Sequence, residues 1–322
     1  MKRRVCVVLK RSSWRKWVEE EKDALVARLL ASGDETVRRM RPGHADHTET
    51  VEEVRRALAE LDVDVTWSEH PHGFRVDGPC ALVVTVGGDG TLLAASHGIG
   101  SGTPLLGINS APSHSVGFFC AAHKGGAATA LRKALAGELR RAELTRMRVE
   151  LNGRVLHDRI LNEALFCHDV PAATSRYILK VVGPRERVLG SEEQKSSGLW
   201  VGPAAGSTAA QRSAGGRVLP LEARDLQYVV REPYQGGGNR LEMTLGRVRP
   251  AEALHIKSKM RHACVFLDGD HIVHEVTIGD VVAMKRSAET LLVLGLTRNG
   301  ERKAAASFKR AVLPKRRGRR TA

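Results

Sequence analysis

The chain has 322 residues, an apolar fraction of 42%, a formal net charge of +15 and five cysteines. This length suffices for two domains with hydrophobic cores, and no apolar run approaches the roughly 20 residues of a membrane-spanning helix. The cysteines lie far apart and form no CxxC pair, which argues against a zinc site and favours reduced thiols. A strand-like run follows almost directly after the first residue, leaving no room for a signal or transit peptide, so we expect a cytoplasmic protein.

Much of the positive charge lies near the C-terminus, where residues 309–320 read KRAVLPKRRGRR. Such a run is able to bind nucleic acid or an acidic surface. A solvated terminus is the interpretation that we favour, so we expect no nucleic-acid partner. The remaining positive charge suits a site that handles several phosphates.

The first 139 residues alternate apolar runs with amphipathic segments, as in a doubly wound α/β domain with a parallel sheet. Strands are predicted at residues 5–9, 63–67, 81–86 and 104–109, and helices at 14–30, 50–61, 92–96 and 127–139. Residues 32–47 are predicted as a polar loop. His44 and His47 have the spacing of metal ligands, but without further ligands we expect them at the surface.

From residue 140 onward, short alternating stretches predict a mainly antiparallel β domain. These stretches are residues 147–151, 177–182, 199–201, 241–248, 263–267, 272–276, 281–285 and 291–296. We therefore expect three segments: an α/β domain over residues 1–139, a β-rich domain over 140–300, and a basic tail over 301–322. The two domains should enclose a cleft between them.

Residues 81–93 read ALVVTVGGDGTLL and carry the most specific motif of the chain. A β-branched run of this kind is typical of a strand buried on both faces of a parallel sheet. Gly87, Gly88 and Gly90 surround Asp89, so main-chain N–H groups are able to approach an anion closely. In open α/β sheets ligands bind at the carboxyl ends of the strands, where Asn109 also follows an apolar run. An ordinary tight turn also contains Gly and Asp, but GGDGT after a buried strand is more specific.

Two weaker motifs lie in the second half. Asn162 and Glu163 offer an amide and a carboxylate to hydroxyls or to a purine edge, although such pairs are also common on surfaces. In the turn at residues 203–208, Ser207 is predicted to cap a helix that starts near Thr208. A helix N-terminus with two hydroxyls is a natural site for phosphate or ribose. A simple capped helix explains that segment equally well if it stands alone.

Taken in order, GGDGT, the Asn–Glu pair, GSTA at 206–209 and SAGG at 213–216 resemble the motifs of the NAD kinase family. Further details resemble its mitochondrial-type branch: GIN at 107–109, QKSSGL at 194–199, REP at 231–233 and HACVFLDGD at 262–270. The resemblance covers roughly residues 5–296. Lipid kinases of the diacylglycerol type share only the first motif, and this chain lacks their second glycine-rich signature.

The resemblance implies an ATP-dependent kinase that phosphorylates the 2′-hydroxyl of the adenosine ribose of NAD, giving NADP. Mg²⁺ would accompany ATP, held by phosphates and water, with no metal site formed by the protein itself. Asp89 would act on that hydroxyl as base or orienting acceptor, and a homodimer is expected. The residues expected to bind NAD and ATP are Gly87, Gly88, Gly90, Thr91, Asn109, Phe118, Asn162, Glu163, Ser197, Ser207, Thr208, Ala209, Ser213 and Asp268.

Three positions depart from the family pattern. Ala204 and Ala205 replace hydroxyl or glycine residues, and Ala210 replaces an aromatic residue. These departures keep open an alternative function, a catalytically weak sensor of the same fold that binds NAD or NADP. The preference between NAD and NADH, and between ATP and polyphosphate as donor, also stays open.

Overall fold

The computed structural model describes residues 2–113, 115–236 and 241–296. The first half alternates strands and helices. In chain order these are β1 (Arg3–Leu9), a short π-helix (Arg15–Glu20), α1 (Ala24–Ala31), α2 (Met40–Ala59), β2 (Val63–Ser68), β3 (Leu82–Gly87), α3 (Asp89–Ser96), β4 (Pro104–Asn109), β5 (Cys120–His123) and α4 (Ala127–Ala136). The five strands pair in parallel in the order β2-β1-β3-β4-β5.

This parallel sheet is covered on both faces. Leu82, Val84 and Val86 of β3 belong to the apolar cluster that includes α2 and α4. Val83, on the opposite face of the same strand, packs with Leu92 of α3. Burial on both sides explains why β3 is apolar at nearly every position rather than at alternate ones. The predicted α/β architecture with a parallel sheet is confirmed.

The second half is mainly β and mostly antiparallel, as predicted. Its strands are β6 (Arg141–Leu151), β7 (Arg154–Ile160), β8 (Ala164–His168), β9 (Ser175–Val182), β10 (Val188–Ser196), β11 (Leu199–Gly202), β12 (Leu226–Val230), β13 (Leu245–Val248), β14 (Ala253–Ser258), β15 (Ala263–Leu267), β16 (Ile272–Val276) and β17 (Val281–Leu294). Two 3₁₀ turns (Pro184–Glu186 and Ala204–Thr208) and α5 (Ala210–Ser213) complete the described elements.

Two sheets organise these strands. One, of six strands, runs in the order β13-β12-β11-β8-β15-β16. The other joins the two halves of the chain, because β17 pairs in parallel with β4 and antiparallel with β6 and β14. Between the sheets lies an apolar core that includes Phe166 and Tyr177, whose rings meet edge to face. The three segment boundaries stay predictions, and residues 297–322 lie outside the described ranges.

Two local predictions were wrong. The helix predicted over residues 14–30 is broken, because Lys22 takes a left-handed conformation between the π-helix and α1. The loop predicted over 32–47 becomes helical at Met40. Pro42 stands in the first turn of α2, where a missing N–H removes no helical hydrogen bond. His47 is consequently buried rather than at the surface. Within the described ranges no helix is long and apolar enough to cross a membrane.

The packing of the parallel sheet predicts the effect of Leu106→Ala on stability. Leu106 in β4 is completely buried, so this variant should lower the free energy of unfolding by about 2–5 kcal/mol. Leu25→Ala in α1 is the matched control, since Leu25 is 54% exposed and its truncation leaves no cavity. Urea denaturation of both variants provides the measurement. Equal losses in the two variants would contradict the burial of β4.

Candidate active site

The carboxyl ends of β1, β3 and β4 meet at one edge of the parallel sheet. In the strand register Leu9 lies beside Val86, and Gly87 lies beside Asn109. The Lys10 N–H donates to the Val86 carbonyl at 2.9 Å, and the Ser110 N–H donates to the Gly87 carbonyl at 3.0 Å. The GGDGT segment therefore sits between the residues that follow β1 and β4.

The glycines of this segment allow close approach of neighbouring groups. A Cβ atom on Gly87 would lie 2.2 Å from Thr91 Oγ1, and one on Gly88 would lie 2.6 Å from Ser115 Oγ. Gly90 differs, because no heavy atom lies within 4 Å of its Cβ position. Gly87 is thus required by packing, whereas the main chain at Gly90 is open to a ligand.

Asp89 is the first residue of α3, and two main-chain groups hold its carboxylate. The Phe118 N–H donates to Oδ2 at 2.9 Å, and the Phe119 N–H donates to Oδ1 at 2.8 Å. Burial, with a contribution from the Asp89 charge, raises the pKa of the nearby Cys120 thiol. Each carboxylate oxygen has a second lone pair, so Asp89 is still able to accept a ligand hydroxyl.

Asn109 shapes the loop that delivers these two N–H groups. Its Nδ2 donates to the Ser115 carbonyl at 3.0 Å, and its Oδ1 accepts from the Ala111 N–H at 3.2 Å. Gly117 has a φ of +63°, and a Cβ atom there would lie 2.5 Å from Asn109 Nδ2. Asn109 is buried, and its amide is used within the protein. Any influence of Asn109 on a nucleotide would therefore be exerted through this loop.

The Asn–Glu pair lies in the short connection between β7 and β8, and Asp268 holds its main chain. The N–H of Leu161 donates to Asp268 Oδ2 at 2.8 Å, and the N–H groups of Asn162 and Glu163 donate to Oδ1 at 2.7 and 3.0 Å. His97 Nε2, just after α3, donates to Oδ2 at 2.8 Å. The Asp268 side chain has no solvent exposure, and these bonds make it an internal clamp.

The side chains of the pair are left with buried polar atoms. Among the described residues, Asn162 Oδ1 and Glu163 Oε2 have no hydrogen-bond partner. Burial and the Asp268 charge raise the pKa of Glu163 to about 8. At neutral pH the Glu163 carboxyl is therefore mainly protonated and is able to donate a hydrogen bond. Unpaired buried polar atoms are expensive in a folded protein, which points to a ligand that pairs with them.

The GSTA turn packs directly on this connection. Cβ atoms on Gly202 and Gly206 would lie 2.1 and 1.8 Å from the Asn162 carbonyl oxygen. The expected helix cap at Ser207 is wrong, because α5 begins only at Ala210 and has no side-chain cap. The Ser207 hydroxyl instead donates to the Ala204 carbonyl at 2.6 Å and accepts from the Leu219 N–H at 3.0 Å.

The remaining predicted residues do not form one cluster. Phe118 is half-buried and stacks edge to face on Phe119. Thr208 and Ala209 are half-buried beside the turn, and Ser213 is exposed. Ser197 lines a separate cavity of about 410 Å³, together with residues that include Arg176, Lys195 and Tyr234.

Two residues near the candidate site, His97 and Lys10, were not among the site residues predicted from the sequence. His97 follows α3 with no sequence signal that sets it apart. Lys10 follows β1 directly, so the argument that selected Asn109 at the end of β4 would have selected Lys10 as well.

Comparisons with known proteins agree with this architecture. Residues 26–139 match the family model for the ATP-NAD kinase N-terminal domain. A probable NADH kinase of Oryza sativa subsp. japonica is 32% identical over 266 residues, which are 77% of this chain and 81% of the relative. The NADH kinase of Arabidopsis thaliana is 36% identical over 232 residues, 66% of this chain and 72% of the relative.

Two solved structures share the fold. A crystal structure of an NAD kinase from Archaeoglobus fulgidus in complex with ATP superposes with a TM-score of 0.65 at 19% identity, covering 95% of this chain and 98% of that one. A yeast NADH kinase complexed with NADH gives a TM-score of 0.73 at 14% identity, covering 99% of this chain and 91% of that one. From its sequence relatives and its fold together, the chain belongs to the NAD kinase family.

Proposed function

We propose that the protein transfers the terminal phosphoryl group of ATP to the 2′-hydroxyl of the adenosine ribose of NAD or NADH. The observation that carries this proposal is the Asp89 carboxylate, held by two main-chain N–H groups at the ligand-binding edge of the sheet. Phosphoryl transfer depends on positioning and charge neutralisation more than on covalent chemistry. A rigidly held carboxylate beside an open glycine main chain suits both requirements.

Asp89 would orient the acceptor hydroxyl. The ribose 2′ oxygen attacks the terminal phosphorus, the bond from that phosphorus to the bridging oxygen breaks, and ADP leaves. The hydroxyl proton passes to the Asp89 carboxylate and from there to water. A carboxylate is a weak base, so its main contribution is to orient the hydroxyl until late in the reaction. The Phe118 and Phe119 N–H groups keep it in one orientation.

The second part of the proposed site binds the dinucleotide. Asn162 Oδ1 offers an acceptor and the protonated Glu163 carboxyl offers a donor, so together they suit ribose hydroxyls or a purine edge. Thr208, Ala209 and Ser213 would line the same pocket, and Ser197 would contact the nucleotide from the separate cavity that it lines. Relatives named as NADH kinases support NADH as a substrate beside NAD.

Mg²⁺ would enter with the triphosphate. Within the described ranges no three His, Cys, Asp or Glu side chains are grouped so as to hold a metal ion. A Mg²⁺ ion that accompanies ATP commonly keeps phosphate oxygens and water as ligands. The ion would supply charge neutralisation at the phosphates. The homodimer and the cytoplasmic location stay predictions.

Two of the three departures that kept the sensor alternative open lie inside the protein, whereas Ala210 is half-buried. Ala204 and Ala205 are only 2% and 3% exposed, and Ala205 packs in the core with Leu161 and Leu221. Their small size therefore serves internal packing and does not remove hydroxyls from a ligand surface.

The function is tested by incubating the full chain with ATP, Mg²⁺ and either NAD or NADH and measuring NADP or NADPH. We expect turnover by the wild type and a loss of about 10²- to 10⁴-fold in kcat for Asp89→Asn. The amide nitrogen of that variant would face one of the two N–H donors, that of Phe118 or that of Phe119. Asp64→Asn, at an exposed position of β2, is the matched control. Absence of wild-type turnover rejects the function, whereas turnover that survives Asp89→Asn rejects the role of Asp89.

Glu163 makes the stability of the ligand-free protein depend on pH. Its pKa of about 8 in the folded state lies above the ordinary value, so its stabilising contribution is complete below about pH 4.5 and is lost as the pH rises through 8. Glu163→Gln removes this loss. The variant should gain up to about 4 kcal/mol relative to wild type between pH 5 and pH 9.

Urea denaturation at pH 5, 7 and 9 provides the measurement. Glu138→Gln, at an exposed position after α4, is the control and should follow the wild type at every pH. A constant difference between Glu163→Gln and wild type across this range would show that the Glu163 carboxyl titrates normally.

A further inference from the structure

A cavity of about 400 Å³ opens beside the start of α3. Its lining includes Lys10, Arg11, Glu69, His72, Gly90 and Thr91, and the Glu69 carboxylate pairs with Arg15. The cavity thus joins the end of β1 to the open side of the GGDGT segment. Asn162 and Glu163 do not line it. It is therefore a different compartment from the proposed dinucleotide pocket.

Lys10 occupies a constrained position in this wall. Its N–H is held by the Val86 carbonyl at 2.9 Å, and its Cβ lies 3.0 Å from the Cβ position of Gly87. The residue is half-buried, and burial lowers the pKa of its ammonium group. Burial and the Lys10 charge also lower the pKa of His47 to about 4, so His47 stays neutral beside it. Of these two groups, only Lys10 carries a positive charge at neutral pH.

The other cations near the cavity are already neutralised. Arg11 Nε donates to Glu20 at 2.7 Å, and Arg15 pairs with Glu20 at 3.0 Å and with Glu69 at 2.6 Å. Over the described parts of the chain, by contrast, Lys10 has no Asp or Glu within ion-pair distance. A half-buried ammonium group without a counter-ion is unfavourable, and an anion bound during function would pair with it.

Gly90 supplies the opposite side of the same cavity. The space where its Cβ would stand is empty to 4 Å, so an extended anion is able to lie against the main chain there. A chain of phosphates has the required charge and narrow shape, and a lysine ammonium group is a common point contact for phosphate. The neighbouring Asp89 would then face the acceptor hydroxyl.

We propose that Lys10 binds the phosphate chain of the phosphoryl donor in this cavity, with Gly90 and Thr91 along its other side. The inference rests on the proposed kinase function for the identity of the ligand. Lys10 neutralises negative charge on the phosphates, and it does not contact the dinucleotide. Replacing Lys10 should therefore weaken binding of the phosphoryl donor without weakening binding of the dinucleotide.

The test measures dissociation constants by calorimetry for three probes: ATP with Mg²⁺, inorganic tripolyphosphate with Mg²⁺, and NADH. In Lys10→Met we expect ATP to bind about tenfold more weakly or worse, while NADH stays within about twofold. Lys10→Arg should restore most of the ATP affinity because it keeps the charge. Lys133→Met, at an exposed position of α4, is the matched control and should change nothing.

The measurement with tripolyphosphate distinguishes recognition of a phosphate chain alone from recognition of a whole nucleotide. Binding that is lost in Lys10→Met shows that the phosphate chain alone is recognised, whereas no binding to wild type shows that the nucleotide is also required. Unchanged ATP affinity in Lys10→Met would overturn the proposal, as would an equal loss for NADH. If the wild-type protein binds ATP through Lys10 but forms no NADP or NADPH, that result would overturn the kinase function alone.

The variant should remain folded. Replacing an unpaired, half-buried ammonium group by an apolar side chain of similar length should leave the thermal midpoint unchanged or raise it. A midpoint that falls in Lys10→Met but not in Lys10→Arg would assign Lys10 a structural role and would overturn the proposal.

Discussion

The hydrogen bonds of the buried Asp268 carboxylate are the constraint on which the site depends. Its two oxygens accept three main-chain N–H groups from Leu161, Asn162 and Glu163, and one bond from His97. A buried carboxylate is stable only when it is paired in this way. Because Asp268 satisfies the main chain of the connection, the side chains of Asn162 and Glu163 keep polar atoms unpaired and able to bind a ligand.

Helix α3 links the two parts of the site. It begins at Asp89, which is held by the Phe118–Phe119 loop, and His97 follows its last residue and bonds to Asp268. The proposed donor site at the edge of the parallel sheet and the proposed dinucleotide pocket at the second sheet are thus connected through a helix of eight residues. Just after the end of α3, the Ile99 carbonyl accepts a hydrogen bond at 2.8 Å from Arg146, which is completely buried. Burial and the neighbouring Arg159 lower the pKa of Arg146 to about 10, while the charges of Glu289, Asp158 and Asp268 oppose that shift.

Local sequence patterns predicted the parallel sheet well and the clamp poorly. The strand predicted at 104–109 coincides with β4, because a strand buried on both faces is a continuous apolar run. The start of α2 was missed because proline normally interrupts a helix. The sequence alone does not show that Pro42 lies in the first turn, where proline is tolerated. The clamp could not be predicted, since the pairing of β15 with β8 brings Asp268 to a segment more than 100 residues earlier. Long-range pairing of this kind leaves no local periodicity.

In the proposed function the Asp268 clamp positions the Asn–Glu connection for phosphoryl transfer. The most direct measurement compares Asp268→Asn with Asp270→Asn, whose side chain is 88% exposed, by NADP(H) formation and by amide hydrogen exchange. We predict that Asp268→Asn leaves the fold intact, accelerates exchange at residues 161–163 and lowers kcat/KM about a hundredfold. Asp270→Asn should match the wild type. Slow exchange at residues 161–163 with full turnover in Asp268→Asn would contradict this role of Asp268.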